Sequence, residues 1–566
     1  MLLTDLRWLM STFVCACLLL VTAPVNAQSL NQAAVASAHP LATRAGIEIL
    51  QQGGNAFDAA AAVSASLAVV EPYGSGLGGG GFWLLHRASD DFQVMIDGRE
   101  KAPGRAHKNM YLDEDGNVIK GMSVNGPMAA GIPGVPAAIE HLVRKYGRLD
   151  LKQVLAPAIR QAREGFTVTP RYQKLMQYRK EVVSQYEEAA AIFLRDNDIP
   201  AVDDMIVQQD LARTLETFAE KGHAGFYAGP VARKMVESVQ AHGGIWELKD
   251  LLAYGVVERK PITFNYHDIK ITSAMLPSSG GIVLGQALQI LEHFQLEQYG
   301  DVDRKHLVVE AMRRAYRDRA AYLGDIDYVD VPVTRLLNRD YTEGMALTID
   351  VDKATPSDEL ADIVAYNSTG ENTTHFSIID NEGNRVSATL SINLPFGSGF
   401  VAEGTGVVLN NEMDDFAIKP YVANSYGLIG DAANAIAAGK RPLSSMSPTF
   451  AEDNERVAVL GTPGGSRIIS MVLLGILDFA DGKLPDSWVS VPRYHHQYLP
   501  DQVQFELGGL SLDEQQGLQA KGHVLHERSR QYGNMQAVML WKQKNFIFAA
   551  SDPRGEGEAQ VIRLSR

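Results

Sequence analysis

The sequence predicts an α+β protein, because it combines antiparallel hairpins with helices, one of them buried on every side. Residues 375–380 and 384–392 are short runs rich in Ile, Val, Thr and Phe, separated by Asn381-Glu382-Gly383. Residues 82–86 and 92–97 pair in the same way. Residues 55–70 are alanine-rich without a polar stripe, which describes a helix enclosed all round and closed by Pro72.

The first hairpin can be registered from its turn. A three-residue loop with glycine last closes through a type I turn and a left-handed glycine. Asp380 then faces Asn384, and Thr373 lies opposite Ser391. Side chains alternate, so Thr373, Ser391 and Asn393 share one face. On the second strand Val386, Ala388, Leu390 and Ile392 make an apolar side, and Ser387, Thr389, Ser391 and Asn393 a polar one. Taken alone, this pattern describes a half-buried hairpin with its hydroxyls toward water.

The other elements follow in order. Residues 8–21 form an apolar run behind Arg7 and lead into Ala23-Pro24-Val25-Asn26-Ala27, which ends in small residues. Residues 1–27 read as a signal peptide cut after Ala27, hence a periplasmic or secreted protein, with an uncleaved anchor as the alternative. The run is short for a membrane span, and no later stretch approaches the required length. Both cysteines, Cys15 and Cys17, lie inside it, so the mature chain has no thiol for a nucleophile, metal site or disulfide.

From Pro40, the spacing of Leu41, Ala45 and Ile49 predicts a helix ended by Gly53-Gly54. Gly74, Gly76 and Gly79 match a dinucleotide fingerprint, but a helix precedes them and a strand follows, the reverse of what that motif needs. These glycines instead let the backbone pass close to another layer. Helices are expected at 136–146, 151–164, 282–294 and 305–323, the last with Val308, Met312 and Tyr316 on one face. Residues 350–372 are polar and pattern-free, as suits a flexible, cleavable segment. A strand at 407–409 runs into the acidic loop 410–416, and 421–439 is a Gly/Ala/Asn-rich excursion. Strands at 449–452 and 457–461 lead through Thr462-Pro463-Gly464-Gly465-Ser466-Arg467 into the apolar helix 468–479.

With 566 residues, 46% of them hydrophobic, the chain can bury a large core. Its net charge of −15 and lack of a basic tract argue against nucleic acid, and any anionic substrate would need a local cationic clamp. His495 and His496 are adjacent and would point apart on a strand, and no helix carries a paired-histidine zinc motif. No metal and no cofactor are expected.

Several ordered motifs converge on one family. They are Ala38-His39-Pro40-Leu41, Gly53-Gly54-Asn55-Ala56, Val70-Glu71-Pro72, Pro277-Ser278-Ser279-Gly280-Gly281, Thr373-Thr374-His375, the 411–416 loop, Arg441 to Pro448, Gly461 to Ser466, and Asp552-Pro553-Arg554. Together they resemble the gamma-glutamyltransferase (gamma-glutamyltranspeptidase) family over nearly everything after the leader. The resemblance implies a four-layer αββα sandwich of the N-terminal nucleophile hydrolase class. It also implies a precursor that cuts itself between Asn372 and Thr373 into a large subunit, 28–372, and a small subunit, 373–566, which stay associated.

By the same resemblance Thr373 is the nucleophile, its free α-amine the base, and Ser391 a hydroxyl partner where the family often has threonine. Gly464 and Gly465 would offer N–H groups to the oxyanion. Arg99 would clamp the donor α-carboxylate with Ser444 and Ser445, while Asn393, Glu412 and Asp415 would take its ammonium. Residues 421–439 correspond to a lid present in some members, with Tyr426 the gating candidate. The expected substrates are glutathione or other gamma-glutamyl compounds as donors, and water, amino acids or dipeptides as acceptors. Two departures stand out: Gly98 replaces an aromatic residue before the arginine, which predicts a more open wall, and Glu412 replaces the glutamine of other members. A glutaryl-type beta-lactam acylase and a non-catalytic binding protein are the competing expectations; retention of Glu412 and Asp415 favours an amino-acid donor.

Overall fold

The computed structural model describes residues 30–360, 373–419 and 422–564. The leader 1–27, the amino side of the expected cut at Asn372, and Tyr421 lie outside the described residues.

Two antiparallel sheets stack face to face between helical layers. The first has seven strands in the order Glu558–Arg563, Gln32–Ser37, Thr374–Ile379, Arg385–Ser391, Gly80–Arg87, Phe92–Gly98 and Val257–Arg259. The second has six, in the order Phe546–Ser551, Gln536–Trp541, Arg456–Gly461, Thr449–Glu452, Ile269–Ser273 and Ile262–Tyr266. Helices Ala56–Val70, Val135–Tyr146 and Leu151–Glu164 share one core with Phe376, Ile378, Val386, Ala388 and Leu390 of the first sheet. Helices Gly280–Leu291, Asp301–Tyr322 and Ile468–Ala480 share another with the second sheet. This is the expected αββα order.

Local chemistry sets the elements. Ala56–Val70 starts at Asn55, whose side chain accepts from the N–H groups of Phe57 and Asp58 while Asp58 reaches back, and all fifteen residues are buried. Leu151–Glu164 has the same reciprocal cap from Asp150 and Gln153 and ends at Gly165 with φ 92°. The glycine run allows close approach: a Cβ on Gly78 would lie 2.0 Å from the Val408 carbonyl oxygen, and one on Gly79 2.1 Å from that of Ser391.

The central hairpin keeps its expected register. Gly383 has φ 87° and its N–H donates to Asp380, while Asp380 N–H donates to Asn384 across the turn. Leu390 pairs with Thr374, so Ser391 stands opposite Thr373. The expected wet face is a correction. Ser387, Thr389 and Ser391 are at most 2% exposed, because the second sheet covers them. Their polarity is satisfied between the layers: Ser387 Oγ donates to the Leu460 carbonyl and accepts from Thr449 N–H, both at 3.0 Å, and Ser377 Oγ donates to the Gln536 carbonyl. Helix Asp301–Tyr322 also differs from its simple amphipathic reading, since Glu310, Arg313, Arg314, Asp318 and Arg319 are buried with its apolar residues.

Candidate active site

Thr373 immediately precedes the strand Thr374–Ile379 and is 4% exposed, and Ser391 closes the neighbouring strand. Asn393 follows with φ 71°, a left-handed turn that leads its N–H to Ser391 Oγ at 2.7 Å and its Nδ2 to the Asn411 carbonyl at 2.8 Å. Its Oδ1 is buried without a hydrogen-bond partner, and so is Oε2 of Glu412. Both residues line one cavity of about 20 Å³ together with Thr373, Ser391, Asp415 and Gly465. That is roughly room for a single water, so the site as it stands is closed.

The glycine pair stands at the mouth of a helix. Gly464 has φ 142° and Gly465 φ 58°, and the 3-10 turn Gly465–Arg467 runs directly into Ile468–Ala480. Among the described residues neither glycine N–H donates a backbone hydrogen bond, which leaves both available at the positive end of that helix. A Cβ on Gly465 would lie 2.2 Å from Cδ1 of Tyr426, so this aromatic ring covers the glycine. The Tyr426 hydroxyl donates to the Asn393 carbonyl at 2.7 Å. The loop bearing Tyr426 is tied to the acidic turn Glu412–Asp415: Ser425 N–H donates to Asp414 at 2.9 Å and Asn424 Nδ2 to Asp415 at 3.3 Å.

Arg99 emerges from the strand end fully buried. Its Nη1 meets Glu412 and, at 3.4 Å, Glu100; its Nη2 meets Asp415 at 2.5 Å; its Nε donates to the Pro442 carbonyl at 3.2 Å. Cation and acids, expected to take opposite ends of a donor, thus neutralise one another in the closed site. Burial and the neighbouring Glu100 carboxylate push Glu412 well above the usual carboxylate range, Arg99 only partly opposing them. Burial likewise raises Asp415 against the pull of Arg99, and lifts Glu100 to about 7.

The expected open wall at Gly98 is a correction: a Cβ there would lie 2.8 Å from the Trp83 ring and 3.2 Å from Ala138, so the position faces the helical layer and glycine opens no space beside Arg99.

The structure adds a residue that sequence reasoning missed. Arg319, 5% exposed, lines the same cavity and donates to Ser445 Oγ at 3.1 Å and Ser279 Oγ at 3.0 Å. It has no ion pair among the described residues, and burial lowers it to about 10. Ser279 N–H donates to the Ser444 carbonyl and Ser444 N–H to that of Pro277, so the Pro277-Ser278-Ser279 loop holds Ser444 and Ser445 against the cavity. The signal for Arg319 would have been an arginine on the helix bearing Val308, Met312 and Tyr316, indistinguishable in sequence from a solvated charge.

Histidines serve other ends. His495 contacts Ser470 and Gln497, while His496 contacts Asp501. His306, Glu310 and His523 come within metal-ligand spacing. However, the two rings bond each other at 2.8 Å, and Glu310 is held by Arg313 and Arg314. None of these lines the Thr373 cavity.

Among the described residues no helix is long and apolar enough to cross a membrane. Residues 42–562 match the sequence family described as Gamma-glutamyltranspeptidase. The chain is 41% identical to a glutathione hydrolase proenzyme of Escherichia coli strain K12, covering 94% of this chain and 91% of that protein. It is 35% identical to one from Bacillus subtilis, covering 94% and 92%. Among solved structures it resembles a cephalosporin acylase from Bacillus halodurans, with TM-score 0.81 and 26% identity over 94% of this chain and 96% of that one. It also resembles Helicobacter pylori gamma-glutamyltranspeptidase, with TM-score 0.56 and 41% identity over 57% of this chain and 93% of that one. With the motifs and the αββα layers, these likenesses place the chain in the gamma-glutamyltranspeptidase family of N-terminal nucleophile hydrolases.

Proposed function

We propose that the chain is a gamma-glutamyltransferase and glutathione hydrolase, made as a precursor, exported by residues 1–27 to the periplasm or outside, and cut before Thr373 into subunits 28–372 and 373–566. The observation that carries this reading is the content of one cavity. A threonine hydroxyl, the Gly465 backbone and two orphaned buried acceptors on Asn393 and Glu412 meet there, with Gly464 adjoining Gly465 in the chain.

Cleavage gives Thr373 a free α-amine with an ordinary pKa near 8, low enough to act as a base at working pH. Thr373 Oγ attacks the gamma-carbonyl of the donor, and its proton passes to that amine. The oxyanion is held by Gly464 and Gly465 N–H, and Ser391 orients the attacking group. Collapse expels the amine of the leaving group, which takes the proton back, and leaves a gamma-glutamyl ester on Thr373. Water resolves the ester as hydrolysis; an amino acid or dipeptide amine resolves it as transfer. To admit the donor, Tyr426 must lift from Gly465 and Arg99 must exchange its acids for the donor carboxylate. Ser444, Ser445 and the buried charge of Arg319 support that carboxylate, and Asn393, Glu412 and Asp415 receive the ammonium.

The test is a denaturing gel run beside a gamma-glutamyl anilide assay. Wild type should give two bands and activity, Thr373→Ala one band and none. An active wild type that remains a single band would refute the mechanism. The likeness to a cephalosporin acylase favours a second reading, removal of a glutaryl-type acyl group. Such a substrate has no α-ammonium, so it would leave the Asn393 and Glu412 acceptors unfilled, and a glutaryl anilide turned over faster than the gamma-glutamyl one would favour it.

A further inference from the structure

A second cavity, of about 90 Å³, lies on the other side of the glycine pair. Gly464 and Pro463 form part of its wall, whereas Gly465 faces the Thr373 cavity. The charged residues lining it are all cations: Arg171, Lys174, Arg530 and Arg554. In a chain of net charge −15 this is a local reversal of sign. Arg554 is neutralised by Glu506 and Asp552. Arg171 is not: it forms no ion pair among the described residues, its Nε is buried without a hydrogen-bond partner, and its guanidinium rests 5.9 Å from the centre of the Tyr73 ring. Two acids lie near it, but neither forms an ion pair with it among the described residues. Glu556 accepts from the backbone N–H of Arg171 at 3.2 Å, and Glu71, held up to about 7 by burial, is largely neutral below that pH. A half-buried guanidinium without a counter-ion is costly unless an anion completes it.

We propose that this cavity is the subsite for the carboxylate of the leaving or accepting peptide, with Arg171 as its principal contact. The assignment rests on the gamma-glutamyl reading above. A donor whose gamma-carbonyl sits at Gly464 and Gly465, with its amino-acid end in the Thr373 cavity, extends its other end past Gly464. In glutathione that end is cysteinylglycine, which terminates in a carboxylate. The same position serves an incoming dipeptide before its amine attacks the ester. The chain therefore selects amine partners that carry a free carboxylate over neutral amines.

The experiment compares hydrolysis of glutathione with that of its glycine carboxamide by the processed enzyme, for wild type and Arg171→Gln. Wild type should favour glutathione in kcat/KM by about tenfold, the scale of one hydrogen-bonded charge contact. Arg171→Gln should bring the ratio close to one by raising KM for glutathione alone. If wild type does not discriminate, or the variant keeps the full ratio, the subsite is refuted. Should Arg171→Gln not fold, Arg530→Gln takes its place under the same two criteria. Absence of activity on every gamma-glutamyl donor would instead overturn the function proposed above, so the two failures are distinguishable.

Discussion

Replacing Glu71 by glutamine should remove a pH dependence of stability that the fold imposes on itself. Glu71 caps the carboxyl end of helix Ala56–Val70, is 1% exposed, and leaves its Oε2 without a hydrogen-bond partner. Burial raises its pKa from 4.5 to about 7, and the Arg171 charge and the Thr374 hydroxyl offset only part of that. A raised carboxyl is protonated in the folded state at pH values where the unfolded chain has already released the proton. Its contribution is therefore intact below 4.5 and is lost as pH climbs toward 7. The gap amounts to about 3 kcal/mol, of which about 2.5 kcal/mol falls between pH 5 and 8. Urea unfolding at those two pH values measures it, in a Thr373→Ala background so that the expected cut does not divide the chain. Glu71→Gln should lose about 2.5 kcal/mol less stability across the interval than its parent. Parallel losses in the two proteins would refute the reasoning, because they would mean that Glu71 finds a counter-charge or water that the packing does not offer.

Other perturbations address the site. Glu412→Gln keeps an acceptor but removes the charge, so donor KM should rise about tenfold. Wild-type KM should also climb as pH falls through the raised Glu412 pKa, a dependence absent from the variant; an identical acid limb in both would assign it elsewhere. Gly465→Ala forces a Cβ to 2.2 Å from the Tyr426 ring at a φ of 58°, and should cut kcat roughly a hundredfold while the precursor still folds. Arg319→Gln retains a donor for Ser445 and loses the charge. It should raise KM about tenfold for donors with an α-carboxylate and leave kcat nearly unchanged, as steady-state kinetics would read.

The hairpin was legible because its information is local. Asn381-Glu382-Gly383 dictates the turn, the turn dictates the register, and the register alone puts Ser391 opposite Thr373. The Ala56–Val70 helix was legible for the same reason, from its unbroken alanine-rich surface and the proline that closes it. Facing partners were not. Alternation along Arg385–Ser391 separates two faces but cannot say that a second sheet, supplied by residues 449–461 and 536–551, covers the polar one. Nor does sequence distinguish a solvated arginine from Arg319, which needs the Ser279 and Ser445 loops, 40 and 126 residues away, to bury it. Arg99 is the converse case: its place in one site with Glu412 and Asp415 is expected, at the opposite end of the donor, but their mutual pairing in a closed site depends on distances no motif contains.

The polar interior between the sheets also narrows the choice of base. Thr373, His375 and Ser377 share the interlayer face, so His375 is the nearest conventional candidate along the strand. Its ring is already spent: Nδ1 is 2.8 Å from Thr389 Oγ1 and Nε2 3.2 Å from Ser377 Oγ, and burial holds its pKa down to about 3. The ring lies so close to the Gly461 backbone that a Cβ there would meet its Cε1 at 2.2 Å. It thus fixes the Thr373 strand to the strand that delivers Gly464 and Gly465, which is a positioning role. Glu71 lies on the Thr374 side of the sheet, opposite the face that Thr373 shares with Ser391. The acids that do line the cavity, Glu412 and Asp415, are held by Arg99. Among the described residues no side chain lining the cavity is both basic enough and uncommitted, and on the gamma-glutamyl reading proposed above the group that would meet the need is the α-amine that scission before Thr373 would create.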